Sequence, residues 1–134
     1  LAGVHTIQLG RTNITDDGIT ALAGVHTIAL TWCRKITDAG VKALAGVHTI
    51  NLSNNIIADS GIKALSGVHK INLFSCQNIS DEGVKALAGV HTITLAWCRN
   101  ISDVGVRALA GVHTIDLRGT SVTPHGMSAL EGAH

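Results

Sequence analysis

The string L-A-G-V-H-T-I begins at Leu1, Leu22, Leu44, Leu87 and Leu109, and its variant L-S-G-V-H-K-I begins at Leu65. The spacings are 21, 22, 21, 22 and 22 residues. So short a period leaves few options. A piece of that size cannot enclose a core and must bury its apolar side against its neighbours. No residues separate the units, so 1–134 reads as one array of six, with a partial seventh from Leu130 and no linker or second domain.

Each unit runs L-x-G-V-H-x-I-x-L, then a short polar stretch, then a segment such as I-T-D-x-G-V-x-A. Ile28 and Leu30 are two apart, so both fall on one face of a short strand, with Thr27, Ala29 and Thr31 on the other. The second half predicts a helix of about two turns that is stable only when stacked. Thr15, Thr37, Ser80, Ser102 and Thr123 are expected N-caps, four of them followed by an Asp and the last by Pro124. Gly24, Gly46 and Gly89 are expected helix stops. Asp38 with Lys42, Asp59 with Lys63, Asp81 with Lys85, and Asp103 with Arg107 have i,i+4 ion-pair spacing.

Strand, loop and helix in 21 or 22 residues suit a leucine-rich repeat. The pattern V-x-x-I-x-L-x-x-C-x-x-I-[ST]-D-x-G-V-x-A-L-A resembles the cysteine-containing type found in the substrate-recognition halves of F-box proteins. Val25, Ile28, Leu30, Cys33, Ile36, Thr37, Asp38, Gly40, Val41 and Leu44 carry it in one unit. The resemblance covers essentially the whole chain. It implies an α/β fold: a right-handed solenoid with short parallel strands on the concave face and short helices on the convex face. The Cys rung departs from the pattern, reading Thr12, Cys33, Asn55, Cys76, Cys98 and Thr120. No F-box segment is present, so the ubiquitin-ligase role does not carry over.

A net charge of +1, from ten Lys and Arg against nine Asp and Glu, argues against bulk attraction to nucleic acid or an anionic membrane. At 46% apolar and 14% charged, the composition is not that of a disordered chain. No apolar run approaches the roughly 20 residues of a membrane span. No signal peptide opens the sequence, and Leu1 in place of Met is expected of a piece of a longer chain.

The residues that suggest chemistry have structural readings. Cys33, Cys76 and Cys98 are an odd count without a C-x-x-C pair, expected to point inward and donate S–H to loop carbonyls. Cys76 and Cys98 lie on adjacent rungs, within reach of a disulfide, yet interchange with Thr and Asn elsewhere. Free thiols lead to an expected intracellular, cytoplasmic location. His5, His26, His48, His69, His91 and His113 form a column before the strands. A line of imidazoles offers a metal two ligands at best, where zinc needs three or four that converge. No metal or other cofactor is expected, and the column is expected to be acid-sensitive. Asn13, Asn78 and Asn100 begin N-glycosylation patterns that the repeat explains without glycans. No phosphate loop, nucleophile elbow or H-E-x-x-H is present, and no enzymatic activity is expected.

Information therefore lies where the units differ. Between the strand residues the chain reads Gln8, Ala29, Asn51, Asn72, Thr94 and Asp116. The position after the strand reads Gly10, Thr31, Ser53, Phe74, Ala96 and Arg118, and the next reads Arg11, Trp32, Asn54, Ser75, Trp97 and Gly119. Alternation places the first two rows on the concave face and the third at its rim, all three off the core. The candidate partner-binding residues are Arg11, Trp32, Asn51, Asn72, Phe74, Trp97, Asp116 and Arg118, which include every aromatic of the FWY type. The competing view of Trp32 and Trp97 is that they only cover the loop over Cys33 and Cys98. Two functions follow: a protein-interaction module, or a structural scaffold, engineered or recently duplicated, without a selected ligand. With no polar cap before Leu1, Val4, Ile7 and Leu9, and a short seventh unit, self-association through the ends is expected.

Overall fold

A three-residue strand or a one-turn helix cannot persist alone, so every element here is held by the same element of the next unit. The computed structural model describes residues 5–128 and 130. The strands β1 (Thr6–Gln8), β2 (Thr27–Ala29), β3 (Thr49–Asn51), β4 (Lys70–Asn72), β5 (Thr92–Thr94) and β6 (Thr114–Asp116) form one parallel sheet in chain order. Ile7, Ile28, Ile50, Ile71, Ile93 and Ile115 stand in register across it. Each strand leads to a helix: α1 (Asp16–Thr20), α2 (Asp38–Val41), α3 (Asp59–Lys63), α4 (Asp81–Lys85), α5 (Asp103–Arg107) and α6 (Pro124–Ser128). Strands repeat at about 4.8 Å whereas packed helices need about 8–10 Å, so stacking curves the array with the sheet inside.

The core is a set of vertical stripes between sheet and helices. Leu30, Cys33, Ile36, Val41, Leu44, Val47 and Ile50 are buried, as are their equivalents in the next two units. The helices are shorter than the expected two turns. After four or five α-helical residues the chain tightens into i→i+3 turns, such as Leu65 N–H to Ile62 O at 2.9 Å and Val68 N–H to Leu65 O at 2.9 Å. Gly24 takes the left-handed conformation expected of a stop (φ +94°), but Gly46 and Gly89 do not, and the tight turns end those helices instead.

The expected i,i+4 ion pairs do not form among the described residues, because the Asp side chains are engaged elsewhere. Each accepts hydrogen bonds from the helix start of the following unit. Asp59 Oδ1 takes the Ser80 N–H at 2.8 Å and Oδ2 the Ser80 hydroxyl at 2.5 Å; Asp16–Thr37, Asp81–Ser102 and Asp103–Thr123 repeat the arrangement. At Asp38 the partner is Ala58, and only the backbone bond remains, at 2.8 Å. Thr37, Ser80 and Ser102 also accept from their own helix, whereas Thr15 makes no such cap bond. Lys85 pairs with Glu82 instead, at 3.1 Å.

This link explains the glycine of D-x-G. A Cβ on Gly105 would lie 3.0 Å from Asp81 Cγ and 3.1 Å from Asp81 Cα, and the latter cannot move aside. The sequence-based expectation about the ends rests on Leu1, Val4, Ile7, Leu9 and the unit after Leu130; Ile7 and Leu9 are partly buried against the core, while the rest apart from Leu130 lie outside the described residues. Gly105→Ala is predicted to lower unfolding stability in urea by about 1–3 kcal/mol. Combining it with Asp81→Ala should cost less than the sum of the two single changes. Strict additivity would refute the steric link.

Candidate functional site

Beyond each strand the backbone ladder continues for two more residues. Leu9 N–H bonds Ala29 O at 2.9 Å and Arg11 N–H bonds Thr31 O at 2.7 Å, with equivalents up to Trp97 N–H to Arg118 O at 2.6 Å. Here the chain must swing from sheet to loop, and it does so through the left-handed region. Arg11, Trp32, Asn54, Ser75 and Trp97 all have φ between 59° and 65°, and Gly119 has φ +74°. Such a conformation costs a non-glycine residue about 1–3 kcal/mol. The whole rim row, including both Trp, thus sits where glycine is the relaxed choice.

Asn51, Asn72 and Asp116 brace that turn from the concave row. Asn51 Oδ1 accepts the Ser53 N–H and hydroxyl at 2.9 and 2.5 Å, and Asn72 Oδ1 accepts the Phe74 N–H at 2.9 Å. Asp116 accepts from the Arg118 backbone N–H, Nε and Nη2 at 2.7–3.2 Å, and that pairing holds its carboxyl below the usual range. Asp116 and Arg118 therefore largely satisfy one another. The expectation that all three rows lie off the core needs correction at two positions. Ser53 is buried by its bonds to Asn51 and Asn72, and the small Ala96, in register between Phe74 and Arg118, is buried too.

Trp32 is 41% exposed, Phe74 36% and Trp97 46%. Cys76 is fully buried although Ser75 precedes it, so a residue of the Cys rung is buried without a Trp beside it. The indoles meet guanidiniums instead. Arg11 and Arg34 Cζ lie 5.8 and 5.5 Å from the Trp32 ring centroid, and Arg99 Cζ lies 5.8 Å from that of Trp97. Trp97 also lies so close to Gly119 that a Cβ there would fall 2.6 Å from its Cε3. Arg34 and Arg99 were not among the expected site residues. Their signal is the tripeptide W-C-R, which occurs in these two units alone. The aromatics do not converge: Trp32 and Trp97 are three rungs apart, about 14 Å by strand spacing. Between the sheet's Thr row and the Asn row lies a shallow depression of about 260 Å³, bordered by Thr27, Ala29, Thr49, Asn51, Lys70 and Asn72.

The Cys rung behaves as its inward position requires. Cys33, Cys76 and Cys98 are free and donate to Leu9 O, Leu52 O and Leu73 O at 3.0, 3.0 and 2.9 Å. Asn55 does the same work through Nδ2 to Leu30 O at 2.7 Å. Burial pushes the Cys76 thiol up to about 11 and the Cys98 thiol up to about 12.

A family model described as Leucine Rich repeat matches residues 4–23, 25–45, 47–66, 68–88 and 90–110, well over half of the chain. The chain belongs to the leucine-rich-repeat family. No curated protein matches it. Domains of this family generally mediate protein–protein interaction and are typically non-enzymatic. Within the leucine-rich-repeat array, no helix among the described residues is long and apolar enough to cross a membrane. No group of three or more His, Cys, Asp or Glu among them is placed to hold a metal ion.

The six His of the repeats stack face to face, with centroids 4.2–4.7 Å apart and planes within 13–22°. Five place Nδ1 against the next Thr hydroxyl, at 2.8–3.1 Å; after His69 the neighbour is Lys70. The ring edges face water while their faces are covered by each other. His48 is held below the ordinary imidazole value by loss of water around it, then by the charges of His26, His69 and His5. His91 is lowered in the same way, with His113 and His69 as its neighbours. The unfolded chain thus binds protons more readily at these positions, so their stabilising contribution is complete above about pH 6.5 and is lost as pH falls below it. Tm is predicted to fall between pH 7 and pH 5, with a smaller slope in His48→Gln/His91→Gln. A slope identical in both proteins would count against the column. The lowered carboxyls of Asp103 and Asp116 lose their contribution only below about pH 4, which separates the two windows. Second, Cys76 and Cys98 should not react with a disulfide reagent at neutral pH until the array unfolds; fast labelling of the folded protein would contradict their burial.

Proposed function

We propose that this leucine-rich-repeat array is a protein-interaction module whose partner lies across the concave face and the loop rim. The observation that carries the reading is the placement of Trp32, Phe74 and Trp97, half-exposed in the rows where the units differ rather than in the near-identical L-A-G-V-H-T-I stretch. Large aromatics with arginines beside them are the residue types most often found at binding hot spots. Asn51 and Asn72 border the shallow depression on that same face. The module acts by holding a partner rather than by transforming a substrate.

The finer family reading, that these are cysteine-containing repeats of the F-box substrate-recognition type, is supported by the Cys33, Cys76 and Cys98 rung and its bonds to the preceding unit. Buried free thiols support a reducing, intracellular setting. The scaffold reading draws on one specific observation, the near-identity of the L-A-G-V-H-T-I units.

A displayed library of random peptides, selected on the wild-type array, separates the two. Selected peptides are predicted to bind the folded Trp32→Ala/Phe74→Ala/Trp97→Ala variant about 30-fold more weakly, as loss of a hot spot implies. Selected peptides that bind both proteins equally would move the site off this face, and a library without any enrichment would leave the scaffold reading.

A further inference from the structure

The net charge of +1 conceals a segregation. Asp16, Asp17, Asp38, Asp59, Asp81, Glu82 and Asp103 all belong to helices, whereas the strand-to-helix loops carry five cations, Arg11, Arg34, Lys35, Arg99 and Arg118, and no acid. Among the described residues only Arg118 of these five has a carboxylate within ion-pair reach. Three of the others are held in place without one. Arg34 donates Nη1–H to Asn54 O at 2.9 Å and lies over Trp32, as Arg11 does, while Arg99 lies over Trp97.

We propose that this rim is a receptor for an extended acidic peptide, with one carboxylate group bound at Arg11 and Arg34 and a second at Arg99. The proposal rests on the interaction reading above and gives its partner a chemistry. A guanidinium lying over an indole still presents N–H groups at its edge, and a carboxylate is the anion that matches two of them at once. The two clusters are three rungs apart, about 14 Å, which about four residues of extended chain span. Phe74 lies between them on the adjoining concave row and would meet an apolar residue in the middle of such a segment. Single-stranded nucleic acid is the less fitting anion. It needs open aromatic faces for its bases, and here Trp32 already has two guanidiniums against its ring, while Trp97 has one and the Gly119 backbone close by.

The test is fluorescence anisotropy with a labelled peptide carrying two Glu-Glu pairs centred four residues apart, its Gln counterpart, and a labelled oligouridylate. The Glu peptide is expected to bind at least about tenfold more tightly than the Gln peptide, and to weaken with added salt. Arg34→Gln/Arg99→Gln should remove most of that preference, while Lys42→Gln/Lys63→Gln, on the helical face, should leave it intact. Equal binding of Glu and Gln peptides would overturn acidic selectivity, and does so even if the rim variant fails to fold. If library-selected neutral peptides still require Trp32, Phe74 and Trp97, the interaction reading survives that result. Tighter binding of the oligouridylate would assign the rim to nucleic acid. No binding of any peptide, designed or selected, would remove both readings.

Discussion

The carboxylate at each helix start is the connection on which the convex side depends. A one-turn helix leaves nearly all of its terminal N–H groups without partners. Here the cap residue's N–H and, in four of five links, its hydroxyl go to the Asp of the preceding unit. The hydroxyl of Thr37, Ser80 or Ser102 then accepts from its own helix, so one group joins two units and starts the second. Asp103 shows the strength of the arrangement: the Thr123 hydroxyl and N–H hold its carboxyl below the usual range. Because donor and acceptor polarise one another, such a chain is stronger than its separate links. Glycine follows from the same contact, since the carboxylate occupies the space where a Cβ would be. At Ala58 the hydroxyl is missing, making the α2–α3 link the thinnest.

The sheet side solves the same problem with different atoms. Strand ends leave leucine carbonyls turned toward the core, and the rung below the rim supplies short donors to them: a thiol at Cys33, Cys76 and Cys98, an amide at Asn55, a hydroxyl at Thr120. The choice has a local cost at Asn55, whose Oδ1 is buried without a partner. A thiol satisfies the carbonyl and leaves no second polar atom behind, which makes Cys the better fit to this buried rung.

How much of this was legible depends on whether the cause lies within a unit or between units. The period of two in Ile28 and Leu30 and the recurrence of L-A-G-V-H were enough for the parallel sheet, its register and the inward Cys rung. Helix length was overestimated, because V-x-A-L-A suits a helix locally while the short unit lets the chain complete only one α-turn before it must return. The Asp–cap link was misread as an i,i+4 ion pair: the Lys four residues on is visible in the sequence, and the Ser or Thr about 21 residues on becomes a neighbour only after stacking. Likewise Arg34 and Arg99 were passed over because, in sequence, they are loop residues after a Cys, and only the fold brings their guanidiniums over Trp32 and Trp97. Ser53 and Ala96 were misplaced for a related reason, since alternation fixes a side chain's direction but not the size of what stands beside it.

The left-handed row shows which differences between units matter. Gly119 marks what the turn itself asks for, a residue without a Cβ, and Arg11, Trp32, Asn54, Ser75 and Trp97 each hold the same conformation against a steric cost. If backbone ease alone governed this row, glycine would serve at every rung. Instead the row contains both tryptophans, and the adjoining loops contain the cations that lie over them. The helical segments, by contrast, carry seven acids against the four bases Lys42, Lys63, Lys85 and Arg107, so the excess of positive charge lies on the loops. Strain, aromatic area and positive charge without a carboxylate partner thus coincide on one edge of the array. That coincidence, rather than the overall charge or the repeat itself, is what supports the proposal that this edge binds a partner.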